Sequence, residues 1–138
     1  MEYFYRWEDL ESIQVGRSYS SGEGPLIKGE RMQIALVRKA KGTGARPHHH
    51  PNEQFHYVVK GTLKAMVDGQ EEMVTAGGVI HIPPNVVHAT VATPEEDVIF
   101  FTVKDTSWGI VGIAADGQDS GAHYEPGFEP ESKVKKDK

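Results

Sequence analysis

Ala45-Arg46-Pro47-His48-His49-His50-Pro51-Asn52-Glu53-Gln54-Phe55-His56-Tyr57-Val58-Val59-Lys60-Gly61 concentrates four of the chain's seven histidines in one run of strand-forming and turn-forming residues. Side chains two apart on an extended strand share a face, so His48 and His50 converge while His49 points elsewhere. Gln54 and His56 continue that phase, provided that no bulge intervenes between Pro51 and Gln54, and Pro51 makes one possible. A histidine-rich tract can also be no more than a polar loop. A second block weighs against that reading: Gly77-Gly78-Val79-Ile80-His81-Ile82-Pro83-Pro84-Asn85-Val86-Val87-His88 sets a further histidine after a strand and a tight turn.

Outward from these blocks the chain reads as short strands separated by turn residues, the texture of a sandwich or barrel. Met32 to Arg38 and about His50 to Val59 are expected strands. Leu63 to Val67 and Glu72 to Val74 flank Asp68-Gly69, a dipeptide tolerant of positive φ and therefore a hairpin signal. Further strands are expected at Val79 to Ile82, Val87 to Val91, Val98 to Val103 and Gly109 to Ile113. Tyr19 to Gly29 reads as a loop bordering the mouth of the fold, and Trp7 to Ile13 as a short helix or an irregular lead-in. After Ala114 the pattern fades into loop and tail, with Phe128 docking on the body.

With 138 residues, the chain suits one domain. The expected division is a lead-in at 1–29, a barrel at 30–113 and a C-terminal loop and tail at 114–138. The chain has no cysteine, which leaves only nitrogen and oxygen donors for any metal. A formal net charge of −5 disfavours nonspecific attraction to nucleic acid or anionic membrane. Lys133 to Lys138 reads as a short solvated basic tail. No apolar run is long enough to span a bilayer, and the opening MEYFYRWEDLE lacks the features of a signal peptide, so a cytoplasmic location is the default expectation.

The two histidine blocks together resemble the cupin superfamily. Its first motif has a glycine, a His-x-His pair, a glutamate three or four residues on and a terminal glycine. Here His48, His50 and Gly61 match, and Gln54 fills the glutamate position. The second motif has a glycine, a Pro-x-Gly turn and a histidine, matched by Gly77, Pro83 and His88. Asn85 stands for the turn glycine, a mild change because asparagine tolerates positive φ, and Ala92 replaces the final asparagine. The resemblance implies an all-β fold, the jelly-roll-like barrel called a double-stranded β-helix. It further implies one divalent metal ion per chain, zinc, nickel, manganese or iron, with His48, His50, Gln54 and His88 as protein ligands. A homodimer is also expected, with the Tyr3 to Trp7 segment available to extend a neighbour's sheet.

Family likeness does not supply a reaction. Glutamine at position 54 is a neutral donor, so the ion's charge stays uncompensated and favours Lewis-acid work on a small carbonyl-bearing substrate: isomerisation, cyclisation or elimination. Iron-dependent dioxygenation is the rival reaction, and noncatalytic binding of a metal or metabolite is the alternative outside enzymology. His56 is the first candidate for a proton-transferring base because it shares the phase of Gln54, and His81 is the second. Each also has a plain reading, as a hydrogen-bonded interior histidine and as a solvent-facing residue. Glu53 is a candidate to orient a ligating imidazole, and Arg46 to recognise an anion at the mouth. Met32, Ile34, Leu36, Met66, Val79, Phe100 and Val103 are expected to line the interior or to cover its outside.

Overall fold

A computed structural model describes residues 2–130. Its strands are β1 (Ile13–Gln14), β2 (Glu23–Gly24), β3 (Leu26–Lys28), β4 (Met32–Lys39), β5 (Thr43–Gly44), β6 (His48–His49) and β7 (Gln54–Lys60). They continue as β8 (Thr62–Val67), β9 (Gln70–Thr75), β10 (Val79–Ile82), β11 (His88–Ala92), β12 (Val98–Asp105), β13 (Ile113–Ala114) and β14 (His123–Tyr124). One sheet runs β1-β2-β4-β12-β7-β10, with β3 also on β4; the other runs β13-β6-β11-β5-β14, with β8 on β11 and β9 on β8. From β4 to β12 the chain passes back and forth between the two sheets, and its strand pairs are antiparallel. This is a double-stranded β-helix. Among the described residues no helix is long and apolar enough to cross a membrane.

Alternation along the long strands decides what the barrel holds. In β4 the buried set is Gln33, Ala35, Val37 and Lys39; in β12 it is Val98, Phe100, Thr102 and Lys104; in β7 it is Gln54, His56 and Val58. Antiparallel register aligns like with like: Lys104 lies opposite Gln54, Thr102 opposite His56, and Phe100 opposite Val58. The interior is therefore layered. Val37, Val58, Leu63, Ile82, Val98 and Phe100 belong to a hydrophobic cluster drawn from both sheets. The polar layer beside it carries the histidines. Of the seven apolar residues expected on one side or the other, Phe100 faces inward. Met32, Ile34, Leu36, Val79 and Val103 fall on the outer phase of their strands, as does Met66.

Turn chemistry accounts for the connections. Asp68 and Gly69 both have positive φ, 50° and 78°, the conformation that a two-residue hairpin between β8 and β9 requires. Asn85 has φ 66°, the left-handed conformation that its position in the second histidine block demanded. Phe128 docks as expected: its ring covers Gly42, whose missing side chain leaves the space the ring uses.

Several expectations are corrected or refined. The strand from His50 to Val59 is broken at Pro51-Asn52, because β6 belongs to one sheet and β7 to the other. Gly109 to Ile113 is not a strand; only Ile113–Ala114 pairs, while Ile110 turns into the core and the Gly112 amide donates to Tyr19 Oη at 2.7 Å. The helix at Trp7 to Ile13 is a single 3-10 turn over Trp7–Asp9 with no capping side chain, held by Trp7 lying edge-on to Phe101 at 6.2 Å. The loop from Tyr19 to Gly29 contains β2 and β3, and the fading C-terminal region still supplies β14. Among the described residues, the Tyr3 to Arg6 part of the N-terminal segment pairs with no strand. Lys133 to Lys138 lies outside the described residues.

Close backbone packing between β5 and β11 fixes one position. A Cβ at Gly44 would stand 2.4 Å from the Thr90 carbonyl oxygen, which is backbone and cannot swing aside. Gly44→Ala is expected to lower unfolding free energy by about 2 kcal/mol or more in urea titrations, the scale of an overpacked core. Gly109→Ala, whose Cβ meets nothing within 4 Å, is expected to stay within about 0.5 kcal/mol of the wild type.

Candidate metal centre

Three imidazoles gather inside the polar layer. The His88 ring centre lies 4.2 Å from that of His48 and 4.8 Å from that of His50, and His48 and His50 are 6.4 Å apart. Register brings them there: His88 at the start of β11 pairs with His48 on β6, and the Asn85 amide donates to the His50 carbonyl at 2.8 Å. Each ring is tied the same way. Nδ1 of His48 meets the Arg46 carbonyl at 2.8 Å, that of His50 the Asn52 carbonyl at 2.9 Å, and that of His88 the Val86 carbonyl at 2.9 Å. A carbonyl only accepts, so each Nδ1 carries the proton, and each neutral ring keeps its lone pair on Nε2.

Burial enforces that neutral state. It pushes His48 well below the usual histidine range, helped by the charge His88 would carry, and it pushes His88 down to about 3. His50 is lowered by burial and then by the Lys104 charge.

The lone pairs lack donors. His88 Nε2 is buried and takes no hydrogen bond among the described residues. His50 Nε2 stands 3.0 Å from Gln54 Oε1. Both are acceptors there, because the Gln54 amide nitrogen donates to Thr102 Oγ1 at 2.7 Å. Lone pairs turned on one another in a buried space repel, and a cation between them removes the repulsion. Among the described residues no group of three or more His, Asp or Glu is arranged to hold a metal ion as the side chains stand. The lone-pair chemistry nevertheless fits a divalent cation shared by His48, His50, His88 and Gln54, with nitrogen and neutral oxygen donors suited to zinc, nickel, manganese or iron.

The comparisons agree with this architecture. Residues 35–104, half of the chain, match the family model of the cupin domain, Cupin_2. The chain belongs to the cupin family. A dimethylsulfoniopropionate lyase, DddW, of Ruegeria pomeroyi is 31% identical over 64 residues, a match spanning 46% of this chain and 42% of that protein. An RmlC-like cupin from Shewanella frigidimarina is similar in structure at TM-score 0.65 and 25% identity, covering 76% of this chain and 91% of that one. KdgF from Halomonas sp. superposes at TM-score 0.66 and 19% identity over 76% and 94% of the two chains, a likeness of fold.

His56 enters the same cavity of this cupin. The Thr102 hydroxyl proton goes to the Phe55 carbonyl at 3.2 Å, so Thr102 Oγ1 accepts from Gln54 and also from His56 Nδ1 at 3.0 Å. That leaves His56 Nε2 as an acceptor, on a ring held edge-on to Phe100 at 4.6 Å. Burial, then the neighbouring Lys39 charge, holds His56 well below its ordinary range.

His81 is a correction. Strand phase puts it on the outer face of β10, where its ring stacks on Phe55 at 4.6 Å and its Nε2 meets Glu53 Oε2 at 2.7 Å in an exposed pair. The same pair removes Glu53 from any role beside the interior imidazoles. Arg46 is also a correction, because its guanidinium is committed to the Ser18, Gln118 and Gly121 carbonyls and to Asp116 at 2.6 Å. It clamps the loops instead of presenting a free anion receptor.

Sequence reading missed four residues of the site. Tyr19, buried by the segment read as loop, stacks on His48 at 4.1 Å, and burial raises its hydroxyl above the usual range. Asn52 is 1% exposed and donates to the Asp105 carbonyl at 2.9 Å, which pins the segment between His50 and Gln54. Lys39 and Lys104 both line the cavity, and burial lowers them to about 7 and about 8. Their signal was present in the strand phase they share with Val37 and Phe100.

Because His88 is held down at about 3 when folded, against about 6.5 when unfolded, the unfolded chain binds the extra proton between those values. Stability of the metal-free protein is therefore complete above about pH 6.5 and falls as the pH drops towards 3. His88 alone contributes a loss of about 2 kcal/mol between pH 7 and pH 5. Urea unfolding of the metal-stripped protein at both pH values measures it. His56→Gln is expected to make the fall shallower, since one buried imidazole is gone.

Proposed function

We propose that this cupin is a divalent-metal-dependent enzyme that acts without oxygen on a small carbonyl-bearing molecule, by isomerisation, cyclisation or elimination. The observation that carries the proposal is the donor set: three neutral imidazoles with Nδ1 tied to carbonyls, completed by an amide where a carboxylate would cancel charge. His48, His50, His88 and Gln54 would hold the ion, which when bound supplies Lewis acidity to a substrate oxygen.

The chain's own residues supply the rest. His56 Nε2 is the proton acceptor, with its tautomer set by Thr102. Burial keeps that nitrogen free of a proton at neutral pH, the state that a general base needs. Phe100 on one side of His56 and the aliphatic layer beneath it exclude water from the proton's path. The cavity is narrow, about 40 Å³, so the reacting part of the substrate is small. The relative from Ruegeria pomeroyi is named a lyase, which supports elimination among the three reactions.

Metal analysis of protein purified without added metal or chelator tests the site. Zinc, nickel or manganese near one per chain is expected, lost in His88→Ala and in His50→Ala but kept in His49→Ala, whose ring is outside the cluster. Iron together with substrate-dependent oxygen uptake would replace this reading with dioxygenation, and equal metal in all variants would overturn the ligand set. For the proton acceptor, His56→Gln is expected to lower kcat about 100-fold or more at unchanged metal content. Gln54→Glu is expected to keep metal and lose turnover; unchanged turnover counts against the charge argument.

A further inference from the structure

Two lysines point into the barrel without a carboxylate to meet them. Lys39 is 4% exposed and Lys104 3% exposed, and both line the cavity that holds His48, Gln54, His56 and His88. Lys39 Nζ donates to the Thr90 carbonyl and to Thr90 Oγ1, each at 2.8 Å, and Lys104 Nζ donates to the Ile110 carbonyl at 2.7 Å. An ammonium has three donors, so one remains on Lys39 and two on Lys104. Neither lysine belongs to any ion pair among the described residues, and no Asp or Glu is buried there. Buried charge is ordinarily paired.

The placement of the two groups is complementary. Lys104 is the cross-strand partner of Gln54 on β12 and β7, so its ammonium enters beside the amide donor. Lys39 starts at the apolar end of β4, opposite Val98; its Nζ lies 5.5 Å from the Phe100 ring centre and reaches Thr90, two residues past His88. Positive groups therefore approach the imidazole cluster from the β12 side and from the β11 side. A neutral substrate would leave both unanswered.

We propose that Lys39 and Lys104 form a receptor for carboxylate groups, and that the substrate of this cupin is a small organic carboxylate anion. The inference deepens the function proposed above and rests on that cavity being the reaction site. Simple loop support is the competing role, since each lysine does hold a backbone carbonyl, and it makes no distinction between a carboxylate and its amide.

Malonate and its uncharged isostere malonamide separate the two roles when titrated calorimetrically into the full-length protein, with metal content measured on the same samples. Malonate is expected to bind wild type at least tenfold more tightly than malonamide. Lys39→Met and Lys104→Met are each expected to weaken malonate binding about tenfold, leave malonamide binding unchanged, and melt no lower than wild type. Equal binding of the two probes by wild type overturns the receptor, as does undiminished malonate binding in folded variants. If a variant fails to fold, the comparison on metal-stripped wild type decides, because malonate chelates a divalent ion far better than malonamide and only the lysines distinguish the two once the metal is gone. Metal present without discrimination defeats the lysine receptor alone; discrimination by protein that purifies without metal defeats the metal-enzyme reading and leaves the receptor standing.

Discussion

Four imidazoles and two ammonium groups are buried in one small barrel with no carboxylate among them, and much of the interior answers to that constraint. Each of the three clustered imidazoles has its tautomer set by a backbone carbonyl on Nδ1 while burial keeps it neutral, and each lysine amine is steadied by a carbonyl, from Thr90 or from Ile110. Carbonyls supply dipoles and not charge, so whatever positive charge the two lysines carry is not cancelled inside the barrel, even though the whole chain carries −5. The fold tolerates this because the apolar half of the same interior packs tightly: Ala35, Val58, Leu63, Ile82, Ala92 and Val98 have no exposed surface. Stability and chemistry occupy adjacent layers of the same strands.

Position 54 joins the two halves of the electrostatic argument. A glutamate there would sit across the strand pair from Lys104 and close an ion pair with it, while also cancelling one charge of a bound cation. Glutamine does neither. Its amide nitrogen goes to Thr102, its oxygen faces His50, and Thr102 in turn sets the tautomer of His56. One neutral side chain thus leaves Lys104 without a carboxylate partner, would leave the charge of a bound cation unscreened, and shares with His56 the hydroxyl that sets the His56 tautomer. The proposed Lewis-acid chemistry and the proposed carboxylate receptor therefore both rest on the neutrality of position 54.

Much of the fold was legible because strand periodicity and turn chemistry are local. Asp68-Gly69 and Asn85 stand in left-handed conformations for reasons visible in the residue types, and β10 runs from Val79 to Ile82 as expected. Charged residues were less legible. Arg46 and Glu53 are lesser candidates in the sequence, with a structural or solvated role the commoner expectation, and that plainer role is what the structure gives them: Arg46 ties loops together and Glu53 pairs with His81. Lys39 and Lys104 each lie one residue past the expected strands, Met32 to Arg38 and Val98 to Val103, although counting by twos from Val37 or Phe100 places both inside. Tyr19 was out of reach: its contact with His48 joins a loop to a strand 29 residues away, and no local pattern encodes that.

The shared phase of His48, His50, Gln54 and His56 has a different cause from the one that suggested it. One regular strand would place all four on one face of one sheet. Instead β6 and β11 lie in one sheet and β7 in the other, and the chain crosses between them at Pro51-Asn52. Proline cannot donate to a ladder, so it ends β6 cleanly, and the buried Asn52 side chain ties the crossing to the Asp105 and Trp108 carbonyls beyond β12. Gln33 donates to the same two carbonyls from β4. The imidazoles of one sheet and the amide of the other therefore meet across a seam whose geometry is fixed by two buried amides. Groups that meet across a seam depend on how the sheets are held, and Asn52 and Gln33 hold this one by tying the crossing and β4 to the same two carbonyls.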